Sequence, residues 1–120
     1  FTRDVRREYL AADAFILPSI EEGDAIVTYE AAAYGLPVIA SPVGAGRIGS
    51  ETDGIDIVDT TDPTAFQAVL AAFALDPDLR LHRSRRARAS VEAYDWSMVG
   101  PRSYASLHEY LSAQGSAAAG

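Results

Sequence analysis

The sequence predicts an α/β fold: a parallel sheet of about three strands, helices on both faces, and further helices toward the C-terminus. Three observations carry that prediction. Three short apolar runs, "AFILPS" at Ala14–Ser19, "LPVIAS" at Leu36–Ser41 and "IDIV" at Ile55–Val58, are continuous rather than alternating. Such runs read as strands covered on both faces, as in parallel sheets. Segments of helical periodicity separate and follow them. Two Asp-Pro pairs, Asp62-Pro63 and Asp76-Pro77, mark helix starts, with Asp as the N-cap and Pro at the first helical position.

In chain order, Thr2–Ala12 reads as a helix with Val5, Tyr9 and Leu10 apolar. The first strand follows. Asp24–Tyr34 is the second helix, stopped by Gly35 with Pro37 close behind. After the second strand, Gly44–Gly54 is a loop with at most a short helix. Beyond the third strand, "TAFQAVLAAFAL" places Phe66, Val69, Leu70 and Phe73 on one face of a helix. A further helix runs from Asp76-Pro77 to about Val91, and a last one covers about Ser97–Leu111. Pro101 in its first turns predicts a late start or a kink. Residues 1–111 form one domain, and 112–120, small and polar, form a frayed tail. Three strands make a thin sheet with a bare edge, so we expect missing upstream strands, or self-association through that edge.

The composition suits one small domain: 120 residues, 48% hydrophobic and 22% charged. With no Cys, neither disulfides nor thiolate metal sites are available. A net charge of −7 argues against general nucleic-acid binding. The apolar runs fall far short of the roughly 20 residues that span a bilayer. The chain opens at Phe1 inside an amphipathic pattern, and we expect a fragment of a longer cytoplasmic protein.

The chemistry concentrates in "EEGDAIVTYE" at Glu21–Glu30. In open α/β sheets, ligands bind outside the carboxyl ends of the strands, and this stretch is strand, loop, then helix start. Gly23 permits close approach of a ligand, and the backbone N–H groups from Gly23 to Val27 are positioned for an anion. Glu22 precedes the helix. Glu30 lies within it, and its side chain leans back toward the start. Carboxylates accept from paired hydroxyls, so a molecule with a sugar, a pyrophosphate and a ribose fits. Val27, Ala31, Ala33 and Tyr34 around Glu30 suggest a largely buried helix, where a free carboxylate is costly. Glu21 and Glu22 also read as ordinary helix-start acids, and Asp24 equally as a simple N-cap. A glycosidase acid–base pair is disfavoured, because those carboxylates flank one bond.

The segment "YLAADAFILPSIEEGDAIVTYEAAAYGLPVIASPVGAG", with the E-x7-E spacing of Glu22 and Glu30, "G-PVIAS" and the glycines after it, resembles retaining GT-B glycosyltransferases of glycosyltransferase family 4, the group 1 transferases. "DPDLR" at Asp76–Arg80 and "AYDW" at Ala93–Trp96 extend the likeness, which runs from about Tyr9 to Leu111. The resemblance implies the C-terminal part of a GT-B nucleotide-sugar-binding domain, a partial Rossmann-like fold. It implies that Glu22 contacts the transferred sugar near the reacting centre, that Glu30 holds the ribose hydroxyls, and that the backbone from Gly23 through Asp24 and Ala25 to Ile26 receives the diphosphate. Transfer from a nucleotide-sugar with retention, without an essential metal or other cofactor, would follow. Asp24 and Ala25 depart from the aromatic and Gly common at these positions, which puts donor identity in question. The family's basic diphosphate contacts and its acceptor-binding domain lie upstream, so this chain alone is expected to be inactive. A non-catalytic nucleotide-sugar-binding module and a GT-B-type epimerase are the alternatives.

Elsewhere, His82 and His108 read as surface or helix-packing residues. Arg80, Arg83, Arg85, Arg86 and Arg88 form an Arg-rich helix, read as a solvated face paired with acids. An anionic membrane surface is its alternative partner, which would make the parent peripheral to the membrane. Trp96 is expected to pack the last helices onto the sheet. Gly44, Gly46 and the loop to Gly54, at the next strand's carboxyl end, are expected to line the nucleotide or acceptor side, and Thr2–Asp4 to approach the base.

Overall fold

The computed structural model describes residues 4–50 and 53–95, together with 97, 99–101, 103–106, 108 and 109. Trp96, Thr2 and the 112–120 tail lie outside the described residues. Three parallel strands, β1 (Phe15–Leu17), β2 (Val38–Ala40) and β3 (Ile55–Ile57), lie in the order β1-β2-β3. The register aligns Phe15, Val38 and Ile55, then Ile16, Ile39 and Asp56, then Leu17, Ala40 and Ile57. β2 is central and fully buried, as its unbroken apolar run requires. Among the described residues, β1 pairs on one side only, and Ile16 beside that edge is 40% exposed.

Among the described residues, α-helices and short 3-10 turns surround the sheet. Helix α1 is Val5–Ala11, capped by Asp4, whose carboxylate accepts from the Arg7 N–H. Only Tyr9 of its apolar residues is buried; Val5 and Leu10 face outward. Helix α2 is Ile26–Ala33. Gly35, at φ +76°, ends it: the Gly35 N–H donates to Ala32 and the Leu36 N–H to Ala31, both through backbone carbonyls. That paired closure needs a left-handed residue, which glycine supplies without strain. A 3-10 turn at Arg47–Ser50 is the short helix expected in the second loop.

Helix α3 (Pro63–Leu75) and helix α4 (Pro77–Val91) begin where the Asp-Pro pairs predict. Asp62 accepts from the Thr64 and Ala65 N–H groups, and Asp76 from that of Leu79. A 3-10 turn, Glu92–Tyr94, leads to α5, whose described residues 97, 99–101, 103–106, 108 and 109 are helical. This helix does not start late: Asp95 caps it, accepting from the Ser97 N–H, and Pro101 is already helical.

Two cores cover the two faces of the sheet. Val38, Ala40 and Ile55 pack with Tyr9, Ala31, Ala32, Ile48 and Ala87 on the side of α2. Ile39 packs with Phe73 and Val58 on the side of α3, with Phe66 and Val69 partly buried against them. Leu70, expected on the same face, remains 40% exposed.

Helix α4 passes the amino ends of β2 and β3, and its arginines fasten it there. Arg83 pairs with Asp56, Nε lying 3.0 Å from Oδ2, and donates to the Asp53 carbonyl. Arg86 pairs with Asp53, Arg80 donates to the Phe73 carbonyl and Arg88 to that of Ala33. Four of the five arginines of this helix are thus engaged within the chain, at the end of the sheet away from the carboxyl ends of the strands. No helix among the described residues is long and apolar enough to cross a membrane.

Candidate functional site

The carboxyl ends of β1 and β2 open onto a cleft. β1 ends in "PS", and the Ser19 hydroxyl donates to Glu22 Oε1 at 2.6 Å, which orients that carboxylate. After β2, the Ser41 hydroxyl accepts from the Gly44 N–H at 3.0 Å. The hydroxyl of Thr28, fully buried in α2, donates to the Gly44 carbonyl at 2.6 Å. The loop after β2 is therefore tied directly to the helix after β1. Gly46 continues that loop at φ +61°, and a Cβ there would lie 3.2 Å from the Tyr29 ring and 3.5 Å from Asp24 Oδ1. Both conformation and space call for glycine at this position.

Two cavities meet at this junction. One, of about 460 Å³, is lined by Glu22, Gly23, Asp24, Pro42, Val43, Gly46 and Arg47. The other, of about 810 Å³, lies along α2 and is lined by Asp24, Ile26, Tyr29, Glu30, Arg47 and Arg88, with Tyr94 and Asp95 from the turn before α5. Asp24 and Arg47 line both. Their side chains form an ion pair, Arg47 Nη2 lying 3.4 Å from Asp24 Oδ2. The Tyr29 hydroxyl first, and Asp24 second, favour the charged form of the guanidinium.

The predicted site residues therefore fall into two places. Glu22 and Gly23 belong to the smaller cavity, and Glu30 and Ile26 to the larger, with Asp24 between them. The space above Gly23 is open. Ala25 is buried, so its side chain meets the protein rather than the cleft. Ala25 also takes the N-cap position of α2, with no side-chain cap. Asp24 is thus not the N-cap that one reading of the sequence gave it, because its carboxylate turns to Arg47 instead. The Ile26 N–H turns back to the Asp24 carbonyl at 2.8 Å, so it is occupied within the chain.

Glu30 differs from expectation in its surroundings. α2 is buried on one face only, through Thr28, Ala31 and Ala32, while Val27, Ala33 and Glu30 itself are exposed. The argument from the cost of a buried carboxylate does not apply. What fixes Glu30 is the Tyr9 hydroxyl, which donates to Oε2 at 3.1 Å. Burial, and then the bond to Glu30, push the Tyr9 phenol up to about 12. Tyr9 also stacks on Tyr34, with ring centroids 5.0 Å apart. Among the described residues, no three His, Cys, Asp or Glu side chains are grouped to hold a metal ion.

A family model described as "Glycosyl transferases group 1" matches residues 1–76, from before α1 through α3, including Glu22, Asp24, Glu30 and Arg47. The chain belongs to the group 1 glycosyltransferases. Curated relatives agree. The chain is 35% identical over 96 residues to the D-inositol 3-phosphate glycosyltransferase of Saccharomonospora viridis, covering 78% of this chain and 22% of that protein. It is 37% identical over 90 residues to the protein of that name from Xylanimonas cellulosilytica, covering 73% and 21%. It is 34% identical over 90 residues to that of Streptomyces coelicolor, covering 73% and 20%. The chain spans about a fifth of the length of these relatives.

The cleft holds residues to which sequence reasoning gave no site role: Tyr29 and Arg47 within the matched segment, and Tyr94 and Asp95 beyond it. Tyr29 packs edge-on against Tyr94, with centroids 5.1 Å apart. "AYDW" was a visible signal for the last two, but nothing in the sequence brings it back to α2.

Proposed function

We propose that this chain forms part of the nucleotide-sugar site of a retaining glycosyltransferase of GT-B architecture, with Glu22 serving the transferred sugar and Glu30 the ribose. The observation that carries this reading is the pair of cavities meeting at Asp24 and Arg47. A ligand with hydroxyls at both ends and an anion between them matches a carboxylate in each cavity and a cation where they join. Ser19 and Tyr9 orient the two carboxylates before any ligand arrives, and preorganised acceptors lose less on binding.

In this reading the chain's residues bind and orient, and no essential metal takes part. Glu22 accepts from sugar hydroxyls beside the bond that breaks. Charge on the departing diphosphate is met by backbone N–H groups and cations. The acceptor is supplied from outside this chain. Since the relatives are named for D-inositol 3-phosphate, a phosphorylated polyol is the acceptor class to try first.

The test is Glu22→Gln in a full-length protein carrying this chain. Transfer should fall by about 100-fold or more, on the scale of removing one group that stabilises developing charge, while nucleotide affinity stays within about twofold. Unchanged transfer would remove Glu22 from the reaction. Nucleotide binding without any transfer by the unmodified protein would favour a non-catalytic binding module.

A further inference from the structure

Asp24 and Arg47 line both cavities, and the donor-site reading leaves open what becomes of their ion pair when a ligand binds. We propose that Arg47 is a donor-contacting residue, the cation that this chain itself supplies to the diphosphate, and that Asp24 is its resident counterion, exchanged for phosphate when the donor binds. This rests on the donor-site reading above and adds a residue and a step to it.

Position is the first argument. A ligand that reaches from Glu22 to Glu30 passes over the Asp24–Arg47 pair, because those two side chains are what the cavities share. The group joining sugar to ribose in such a ligand is the diphosphate. Charge is the second. The ionisable side chains lining the smaller cavity are Glu22, Asp24 and Arg47. Arg47 is thus the cation among the residues lining the smaller cavity; in the larger one Arg88 also lines the wall, but its guanidinium donates to the Ala33 carbonyl, and Arg47 alone of the two lines both cavities.

The third argument is that the exchange is easy. The pair is long, at 3.4 Å, and its side chains are 75% and 45% exposed. Such ion pairs contribute little to stability, so releasing Asp24 costs the fold little. A guanidinium can engage phosphate oxygens with two parallel N–H bonds, a geometry stronger than the long contact with Asp24.

The base from which Arg47 swings is fixed. Gly46 before it is pressed against Tyr29 and Asp24, and Gly44 is tied to Thr28. The side chain moves while its backbone stays, so a change at Arg47 reads out on the ligand rather than on the fold.

The experiment is an NMR titration of the 120-residue chain at low salt with UDP, GDP and ADP and with the matching nucleosides. The unmodified chain should bind one diphosphate about tenfold or more tighter than its nucleoside, the scale of one charge-assisted hydrogen bond. Arg47→Gln should collapse that ratio toward one while leaving nucleoside affinity and the backbone spectrum unchanged. Arg47→Lys should restore part of it. Asp24→Asn should raise the ratio, and raise it less when Arg47→Gln is also present. A ratio untouched by Arg47→Gln overturns this inference and leaves the donor reading standing. An unmodified chain that binds neither nucleoside nor diphosphate overturns both.

Discussion

Thr28→Val tests how the loop after β2 is held to α2. Thr28 is fully buried, and its hydroxyl donates to the Gly44 carbonyl at 2.6 Å. Valine keeps the shape and removes the donor, which leaves that carbonyl without this partner. The expected cost is about 1–3 kcal/mol, the desolvation penalty of an orphaned buried polar group. Thr28→Ser keeps the donor and loses only a methyl, for about 1 kcal/mol. Urea denaturation of the two variants beside the unmodified chain measures the difference. The valine variant should be the less stable, with a lower midpoint and an unchanged slope. It should also weaken nucleotide binding, because Gly44 precedes the Gly46–Arg47 step that faces the cleft. A valine variant within about 0.5 kcal/mol of the unmodified chain would refute the hydrogen bond as the tie between loop and helix.

Other expectations follow from the same contacts. The Tyr9 phenol, raised to about 12, favours the folded state fully below its unfolded value near 10. That contribution is lost as pH rises through the interval to about 12. Alkaline unfolding followed by tyrosinate absorbance should therefore show one late phenol, absent in Tyr9→Phe. Asp62→Ala and Asp76→Ala each remove a helix cap and should cost about 1 kcal/mol in thermal unfolding. Arg83→Met removes the partner of Asp56, whose carboxyl is already held above its usual range by burial. The variant should be less stable than the unmodified chain at neutral pH, and the deficit should shrink in acid as Asp56 protonates. A deficit that grows in acid would contradict this account of the pair.

Much of the fold was legible because its signals are local. Asp62-Pro63 and Asp76-Pro77 cap and start helices within four residues of chain. Gly35 ends α2 by its own backbone conformation. The run around Val38–Ala40 is apolar throughout because β2 is covered on both faces. The site was legible to the extent that strand, loop and helix start are contiguous in sequence, which placed Glu22 and Gly23 at the cleft.

What sequence reasoning missed is non-local. Asp24 looked like an N-cap from its neighbours, and its partner Arg47 lies 23 residues away. The apolar residues around Glu30 suggested burial, yet Val27 and Ala33 point outward, since composition alone does not say which faces of a short helix are covered. The partner of Glu30 comes from α1, 21 residues upstream. The arginines of α4 read as a solvated face paired with acids, and two of them do pair with acids, but that the acids are Asp53 and Asp56, and that the carbonyls of Ala33, Asp53 and Phe73 also accept from this helix, appears only when α4 is laid along the sheet.

The central claim is that one donor spans both cavities, with its two ends on Glu22 and Glu30. A crystal structure of the chain, or of a full-length protein carrying it, soaked with its nucleotide-sugar measures this most directly. The account predicts sugar hydroxyls within hydrogen-bond distance of Glu22, about 3 Å, ribose hydroxyls at the same distance from Glu30, and the diphosphate over Arg47. A nucleotide-sugar confined to one cavity, with the other carboxylate still turned to Ser19 or Tyr9 alone, would contradict it.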